Sequence, residues 1–129
     1  MTGSKDDLIR YRLSRSKDTF DDAKILADKE RWNSAINRLY YSAYYAVIAI
    51  LLKHDFKPTT HNGAKSIFSE HFIKNGIIPK ELGKLYSQLF TWRQKSDYDD
   101  LYNFDKDKVI PYFEPVKQFI GIIENKINE

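Results

Sequence analysis

Apolar residues recur at three- and four-residue spacing along almost the whole chain, and nowhere alternate with polar ones as in a half-buried strand. This period predicts five helical segments. The first spans about Lys5 to Lys29, with Leu8, Tyr11, Arg15, Thr19, Ala23 and Leu26 as its inward stripe. After a polar break, the second runs from about Trp32 to Lys53. Its apolar positions, from Trp32, Ala35, Ile36 and Leu39 to Val47, Ile50 and Leu51, cover more than half the circumference, which a helix packed on one side cannot hide. It is therefore the expected central helix. Pro58 interrupts the pattern, and Thr60 is placed to cap a short third helix from about His61 to Asn75, with Ala64, Ile67, Phe68, His71 and Phe72 inward. Gly76 suits a helix end, and Pro79 the first turn of a fourth helix that runs through Leu82, Leu85, Tyr86, Leu89, Phe90 and Arg93 to about Tyr98. Asp99 to Phe104 reads as a loop. Asp105 then caps a fifth helix with Val109, Tyr112, Phe113, Val116, Phe119, Ile120, Ile123 and Ile127 on one face. Pro111 and Pro115 each delete an internal hydrogen bond, so a late start or a kink is expected there.

Short connections favour antiparallel neighbours, and the expected fold is all-α: an up-and-down bundle of four main helices plus a short accessory helix. The 129 residues read as a single domain, 1–129, large enough for one continuous core. A chain that is 42% hydrophobic and 30% charged is too apolar for disorder and too charged for a membrane protein. The absence of cysteine removes thiol chemistry, cysteine-based zinc sites, iron–sulfur clusters and disulfides together. The net charge of +3 is too small for a dedicated nucleic-acid binder, although residues 1–65 carry twelve basic against eight acidic side chains and residues 66–129 nine against ten. The first residues lack the apolar core of a signal peptide, and the longest apolar run, Ala43 to Leu52, is too short to span a bilayer. The expectation is a cytoplasmic protein with no membrane association.

Candidate chemistry concentrates where the fourth helix ends, in Arg93-Gln94-Lys95-Ser96-Asp97-Tyr98. Arg93 and Asp97, four residues apart, can form an ordinary surface ion pair. Arg93 also lies on the stripe of Leu89 and Phe90, where a guanidinium needs a partner and its fork of donors suits a phosphate. His54, His61 and His71 do not have metal-ligand spacing, so no metal is expected and no cofactor is implied. His71 reads as a core histidine. His61, at the start of the third helix, stands where a helix dipole favours anions. The acidic run Asp97, Asp99, Asp100, Asp105 and Asp107 lacks the glycine and glutamate of a calcium loop and reads as a solvated turn plus a helix cap. The tyrosines of Leu39-Tyr40-Tyr41-Ser42-Ala43-Tyr44-Tyr45-Ala46 can stack on bases but equally suit a core or a dimer seam. Phosphate-loop, dinucleotide, hydrolase-elbow and zincin motifs are missing.

Taken in order, Ala35-Ile36-Asn37-Arg38-Leu39-Tyr40-Tyr41-Ser42-Ala43-Tyr44-Tyr45-Ala46, then Thr60-His61-Asn62-Gly63 opening a helix, then Arg93 to Tyr98, resemble the HEPN (higher-eukaryote and prokaryote nucleotide-binding) family over about residues 8 to 125. The likeness is to its small stand-alone prokaryotic branch. This resemblance implies an all-α bundle, a homodimer, and a partnership with a minimal nucleotidyltransferase in a toxin–antitoxin-type pair. Many members are metal-independent RNases that carry an arginine, four to six arbitrary residues, then a histidine. Here Tyr98 stands after four intervening residues and Asp100 after six. A phenol with an ordinary pKa near 10 is a poor base at neutral pH, and a carboxyl near 4 a poor acid.

The expected function is accordingly a binding module, with nucleotide or RNA contacts at Arg93, Lys95 and His61. An RNase acting through Arg93 with His61 or Tyr98, and with Asp97 beside them, stays open as the enzyme alternative; a nucleotide-binding scaffold is the third reading. Through the resemblance, Tyr98 is the candidate acceptor of AMP from the nucleotidyltransferase, with Tyr102 in second place. A homodimer is also expected from the aromatic surface of the second and fourth helices, which exceeds what a four-helix monomer can cover.

Overall fold

The computed structural model describes residues 2–98 and 102–129. Its elements are α1 (Thr2–Asp28), α2 (Trp32–Lys53), α3 (His61–Phe68), a π-helical turn (Ser69–Ile73), α4 (Lys80–Tyr98), α5 (Lys106–Val109), a 3-10 turn (Ile110–Tyr112) and α6 (Phe113–Ile127). The protein is an all-α bundle in which α1, α2, α4 and α6 are the long members, α3 is the accessory, and α2 packs against each of the other long helices.

The α1–α2 hairpin is antiparallel. Lys5 Nζ meets Asp55 Oδ1 at 2.8 Å, Arg12 donates to the Ile48 carbonyl at 3.1 Å, and Ser16 Oγ donates to the Ser42 carbonyl at 2.6 Å, partners descending α2 as they climb α1. Small, fully buried residues recur every seventh position on both helices, Ser16 and Ala23 on α1, Ala35, Ser42 and Ala49 on α2. A seven-residue repeat of small side chains lets two backbones approach closely along one seam. Packing on that seam sets the rotation of α1. Its interior residues are Ile9, Leu13, Ser16, Thr19, Phe20, Ala23 and Ala27, so Thr19 and Ala23 of the expected stripe are buried, whereas Leu8 and Tyr11 are 41% and 61% exposed. Selecting for large apolar residues pointed to the neighbouring face because Ser16, satisfied by a backbone carbonyl, is a core residue.

Both helices of the hairpin end in a left-handed residue that is not glycine. Glu30 has φ 58° and Asp55 φ 67°, and in each case the next amide closes back over the last turn, Arg31 N–H to the Leu26 carbonyl at 2.9 Å and Phe56 N–H to the Leu51 carbonyl at 2.9 Å. The apolar run Ala43 to Leu52 is only part of α2, and the helix as a whole is long and apolar enough to cross a membrane by length and composition; 67% of that stretch is buried inside the protein, as in the core helix of a bundle.

The third helical segment changes character after Phe68, where the backbone widens into the π-helical turn. Ala64, Phe68 and Phe72 stay buried through the change, but His71 is exposed with its ring against Phe56, 4.7 Å between centroids, and is not the core histidine expected. In the fifth segment Asp105 accepts from Lys108 N–H at 3.0 Å, capping α5, and Pro111 falls in the 3-10 turn that joins α5 to α6. The expected kink thus takes the form of a one-turn change of helix type, which dispenses with the amide that proline lacks.

Asn33, near the start of α2, ties the chain that follows α4. Its Nδ2 donates to the Tyr102 carbonyl at 3.1 Å and its Oδ1 accepts from Phe104 N–H at 2.7 Å, fixing Tyr102 to Phe104 against α2; Asp99 and Asp100 of the acidic run, with Leu101, lie outside the described residues. Trp92 and Tyr102 pack on the buried Phe104 ring at 5.3 and 4.8 Å. Asn33→Ala removes two part-buried hydrogen bonds to the backbone, so urea unfolding should show a loss of about 1–2 kcal/mol; a loss below about 0.5 kcal/mol would mean that the aromatic packing alone holds Tyr102 to Phe104.

Candidate functional site

Arg93 stands one turn after Phe90 on the inward face of α4, and its side chain is only 8% exposed. The guanidinium carbon lies 4.9 Å from the centroid of Tyr40, 5.7 Å from Phe90 and 6.0 Å from Tyr41, so aromatic faces stand in for the water that the charge has lost. Its nearest carboxylate is Asp97, with Nη1 to Oδ2 at 3.9 Å, at the outer limit of an ion pair. Nε is buried without a hydrogen-bond partner. This is not the ordinary surface pair that i, i+4 spacing permits: the arginine is buried and its carboxylate is engaged elsewhere.

Asp97 instead receives Asn37 Nδ2, at 2.9 and 3.2 Å to its two oxygens. Asn37 Oδ1 accepts from Arg38 Nε and Nη2 at 3.0 and 2.7 Å, and the Arg38 guanidinium lies over Tyr41 at 4.9 Å. A polar chain therefore crosses from α2 to the end of α4, with Arg38 at one end, Arg93 at the other and the Asp97 carboxylate divided between Asn37 and Arg93. That division of charge leaves Arg93 with donors to spare, the condition for holding a phosphate or another oxyanion.

On the other side of Tyr40 stands His61, the first residue of α3. Its Nδ1 is 2.8 Å from the Tyr40 hydroxyl, and its ring packs on Tyr44 with centroids 4.4 Å apart. The position depends on the cap: Thr60 Oγ1 accepts from Gly63 N–H at 2.8 Å, and a Cβ on Gly63 would sit 3.0 Å from that oxygen. Thr60-His61-Asn62-Gly63 is thus a local device that fixes where the imidazole stands. Burial, then the charge of Arg93, holds His61 below the usual 6.5, so the ring is neutral at pH 7. Burial pushes the Tyr40 hydroxyl up to about 12 and raises Tyr44 as well. Where Nδ1 accepts from the Tyr40 hydroxyl, Nε2 carries the imidazole proton.

The fold brings together Arg93, Asp97 and His61 of the residues singled out in the sequence. Tyr98, at the end of α4, is 76% exposed, and among the described residues its ring pairs with no other aromatic. Lys95 and Tyr102 belong to a different surface: the Lys95 ammonium lies over the Tyr102 ring at 5.0 Å, and Lys108 donates to the Tyr102 hydroxyl at 3.1 Å. Asn37, Arg38, Tyr40 and Phe90 form the site without having been assigned a role in it. Their signal was present, since 37, 40, 41 and 44 share one face of α2, but that face reads equally well as core.

Among the described residues, then, the protein is an all-helical bundle in which a buried, under-paired arginine and a neutral histidine share an aromatic pocket. The model of the HEPN domain matches residues 9–126. A UPF0332 protein of Thermotoga maritima is 36% identical over 125 residues, covering 97% of this chain and 95% of that one. A protein of Methanocaldococcus jannaschii named "Putative toxin MJ0142" is 28% identical over 106 residues, 78% of this chain and 72% of its own. A UPF0332 protein of Archaeoglobus fulgidus is 24% identical, with 95% and 98% covered. The chain belongs to the HEPN family.

The His61 shift has a definite sign. Because its folded pKa lies below the unfolded value, the full stability is present above about pH 6.5 and declines as pH falls through the folded value. NMR titration should place His61 below 6.5, and Arg93→Gln, which keeps the bulk and removes the charge, should raise it. A His61 midpoint unmoved by Arg93→Gln would show that the two groups are not coupled.

Proposed function

We propose that this protein is the toxin-like member of a two-gene pair, a binding module that holds a nucleotide or RNA phosphate at Arg93 and is partnered by a minimal nucleotidyltransferase. The observation that carries this reading is the Arg93 guanidinium, buried among three rings, with Nε unpartnered and its carboxylate shared with Asn37. Isolated buried charge is costly, and an incoming oxyanion offsets that cost where Asp97 does so only in part. The name "Putative toxin" that two Methanocaldococcus jannaschii relatives, MJ0142 and MJ0605, carry points the same way.

The partner's chemistry has a place to act. The Tyr98 hydroxyl, exposed and five residues beyond Arg93, can attack the α-phosphorus of ATP, with pyrophosphate leaving and the phenolic proton passing to solvent. The product adds an anionic phosphodiester at the end of α4, about one and a half turns beyond Arg93. The protein acts as a homodimer in this reading, in the cytoplasm, and the half-buried Tyr41, Tyr44, Tyr45 and Ile48 of α2, with the exposed Leu8 and Tyr11 of α1, provide the apolar surface for a second copy.

A second reading is favoured by one contact. His61 reaches the pocket of Arg93 through Tyr40, so an imidazole stands where the linear motif has none. A neutral imidazole beside a phosphate-holding arginine is the equipment of a metal-independent RNase.

Light scattering at micromolar protein should give a dimer mass. Saturable binding of a fluorescent nucleotide should weaken about 10- to 150-fold in Arg93→Ala, the loss of a charged hydrogen-bonding partner. Co-expression with any nucleotidyltransferase encoded beside it should yield an AMP adduct that disappears in Tyr98→Phe; an unmodified chain, or an adduct that survives, refutes that assignment. Cleavage of a structured RNA in chelator to 2′,3′-cyclic phosphate ends, lost in both Arg93→Ala and His61→Ala, would replace the binding module by the RNase.

A further inference from the structure

Between α3 with its π-helical turn on one side and α4 on the other runs a groove of about 710 Å3. Its α4 wall is a row at helical spacing, Lys80, Lys84, Ser87 and Thr91, all exposed; its α3 wall carries Lys65 and, on the π-helical turn, Glu70 beside Lys74. Lys74 is neutralised by Glu70 at 3.0 Å. Among the described residues Lys65, Lys80 and Lys84 have no carboxylate within ion-pair distance. Three unneutralised ammoniums bordering one groove repel each other, and a polyanion relieves that repulsion.

The groove ends beside the site, next to the Phe90 ring. The Lys65 ammonium lies 5.2 Å from the Phe90 centroid and the Arg93 guanidinium carbon 5.7 Å from the same ring, so one aromatic carries both the first lysine of the groove and the site arginine. His61, one turn before Lys65 on α3, stands at the same end. Lys80 to Thr91 spans about 16 Å at 1.5 Å per residue, the reach of about five stacked nucleotides at 3.4 Å each. Hydroxyls of Ser87 and Thr91 continue the row beyond the ammoniums of Lys80 and Lys84, a lining suited to sugar and phosphate oxygens and poor in features that read bases.

We propose that the α3–α4 groove is a track for the phosphate backbone of single-stranded RNA, held by Lys65, Lys80 and Lys84 and leading one phosphate to Arg93. The proposal rests on the reading of Arg93 as a phosphate-holding group. The groove contributes affinity without sequence preference, and selectivity belongs to the aromatic pocket at its end.

The test is fluorescence anisotropy with a labelled single-stranded oligoribonucleotide and the full chain, across about 50 to 200 mM salt. The surface triple variant K65Q/K80Q/K84Q should lower the slope of log K against log salt by about 2, from 0.7 per lost cation, and weaken binding about 100-fold near 0.1 M salt. Arg93→Gln should lower the slope by about 0.7, and a control triple on other faces, K24Q/K106Q/K117Q, should leave it unchanged. If the groove triple binds like the parent while Arg93→Gln is weakened, the groove is wrong and the Arg93 reading stands. An equal slope change in the control triple also overturns the groove, by showing diffuse attraction. If the parent binds mononucleotide but no RNA, the track is refuted; if it binds neither, the Arg93 reading falls and the track with it.

Discussion

The structure depends on burying α2 along nearly its whole length. Twelve of its residues are buried, and they face different neighbours with different side chains: small ones at Ala35, Ser42 and Ala49 on the close seam with α1, large ones such as Leu39, Tyr40, Ile50 and Leu51 in the wider spaces left to the other helices. A hydrophobic driving force of this kind is non-directional. Direction comes from the seam, where Ser16 bonds to the Ser42 carbonyl and a slip of one residue would bring bulk against bulk.

The site is a by-product of that burial. Tyr40 is a core residue, stacked on Tyr86 with centroids 5.8 Å apart, yet its hydroxyl edge reaches His61 and its face carries Arg93. One ring thus couples an imidazole on α3 to a guanidinium on α4. Tyr40 reports its burial by a pKa pushed up to about 12, so it positions its neighbours as a neutral phenol. The polar chain Arg38–Asn37–Asp97 works from the opposite side, engaging the carboxylate that would otherwise satisfy Arg93.

This arrangement gives a physical sense to membership of the HEPN family. A helical bundle has no phosphate loop and no glycine-rich cradle; what it can offer an anion is a cation it has desolvated and left under-paired. Such a cation is costly to the free protein and is retained where a ligand or a partner meets it. The similarity to the Thermotoga maritima protein runs over nearly the full length of both chains, so the shared unit is the whole bundle.

Helix number, type and approximate ends were legible in the chain, because a 3.6-residue period and residues such as Pro58, Thr60, Gly76 and Asp105 act within a turn or two of where they stand. The centrality of α2 was legible for the same reason: no single face could hold its apolar residues. Arg93 stood out because a charge on an apolar stripe is a local contradiction. The rotation of α1, the π-helical widening after Phe68 and the exposure of His71 were decided only by packing, where small residues and backbone acceptors outweighed the size of Leu8 and Tyr11. So was the meeting of His61 with Arg93, 32 positions apart in the chain. Periodicity states which face of a helix is buried; which faces of two different helices meet across a shared tyrosine is a property of the assembled core, and no local pattern contains it.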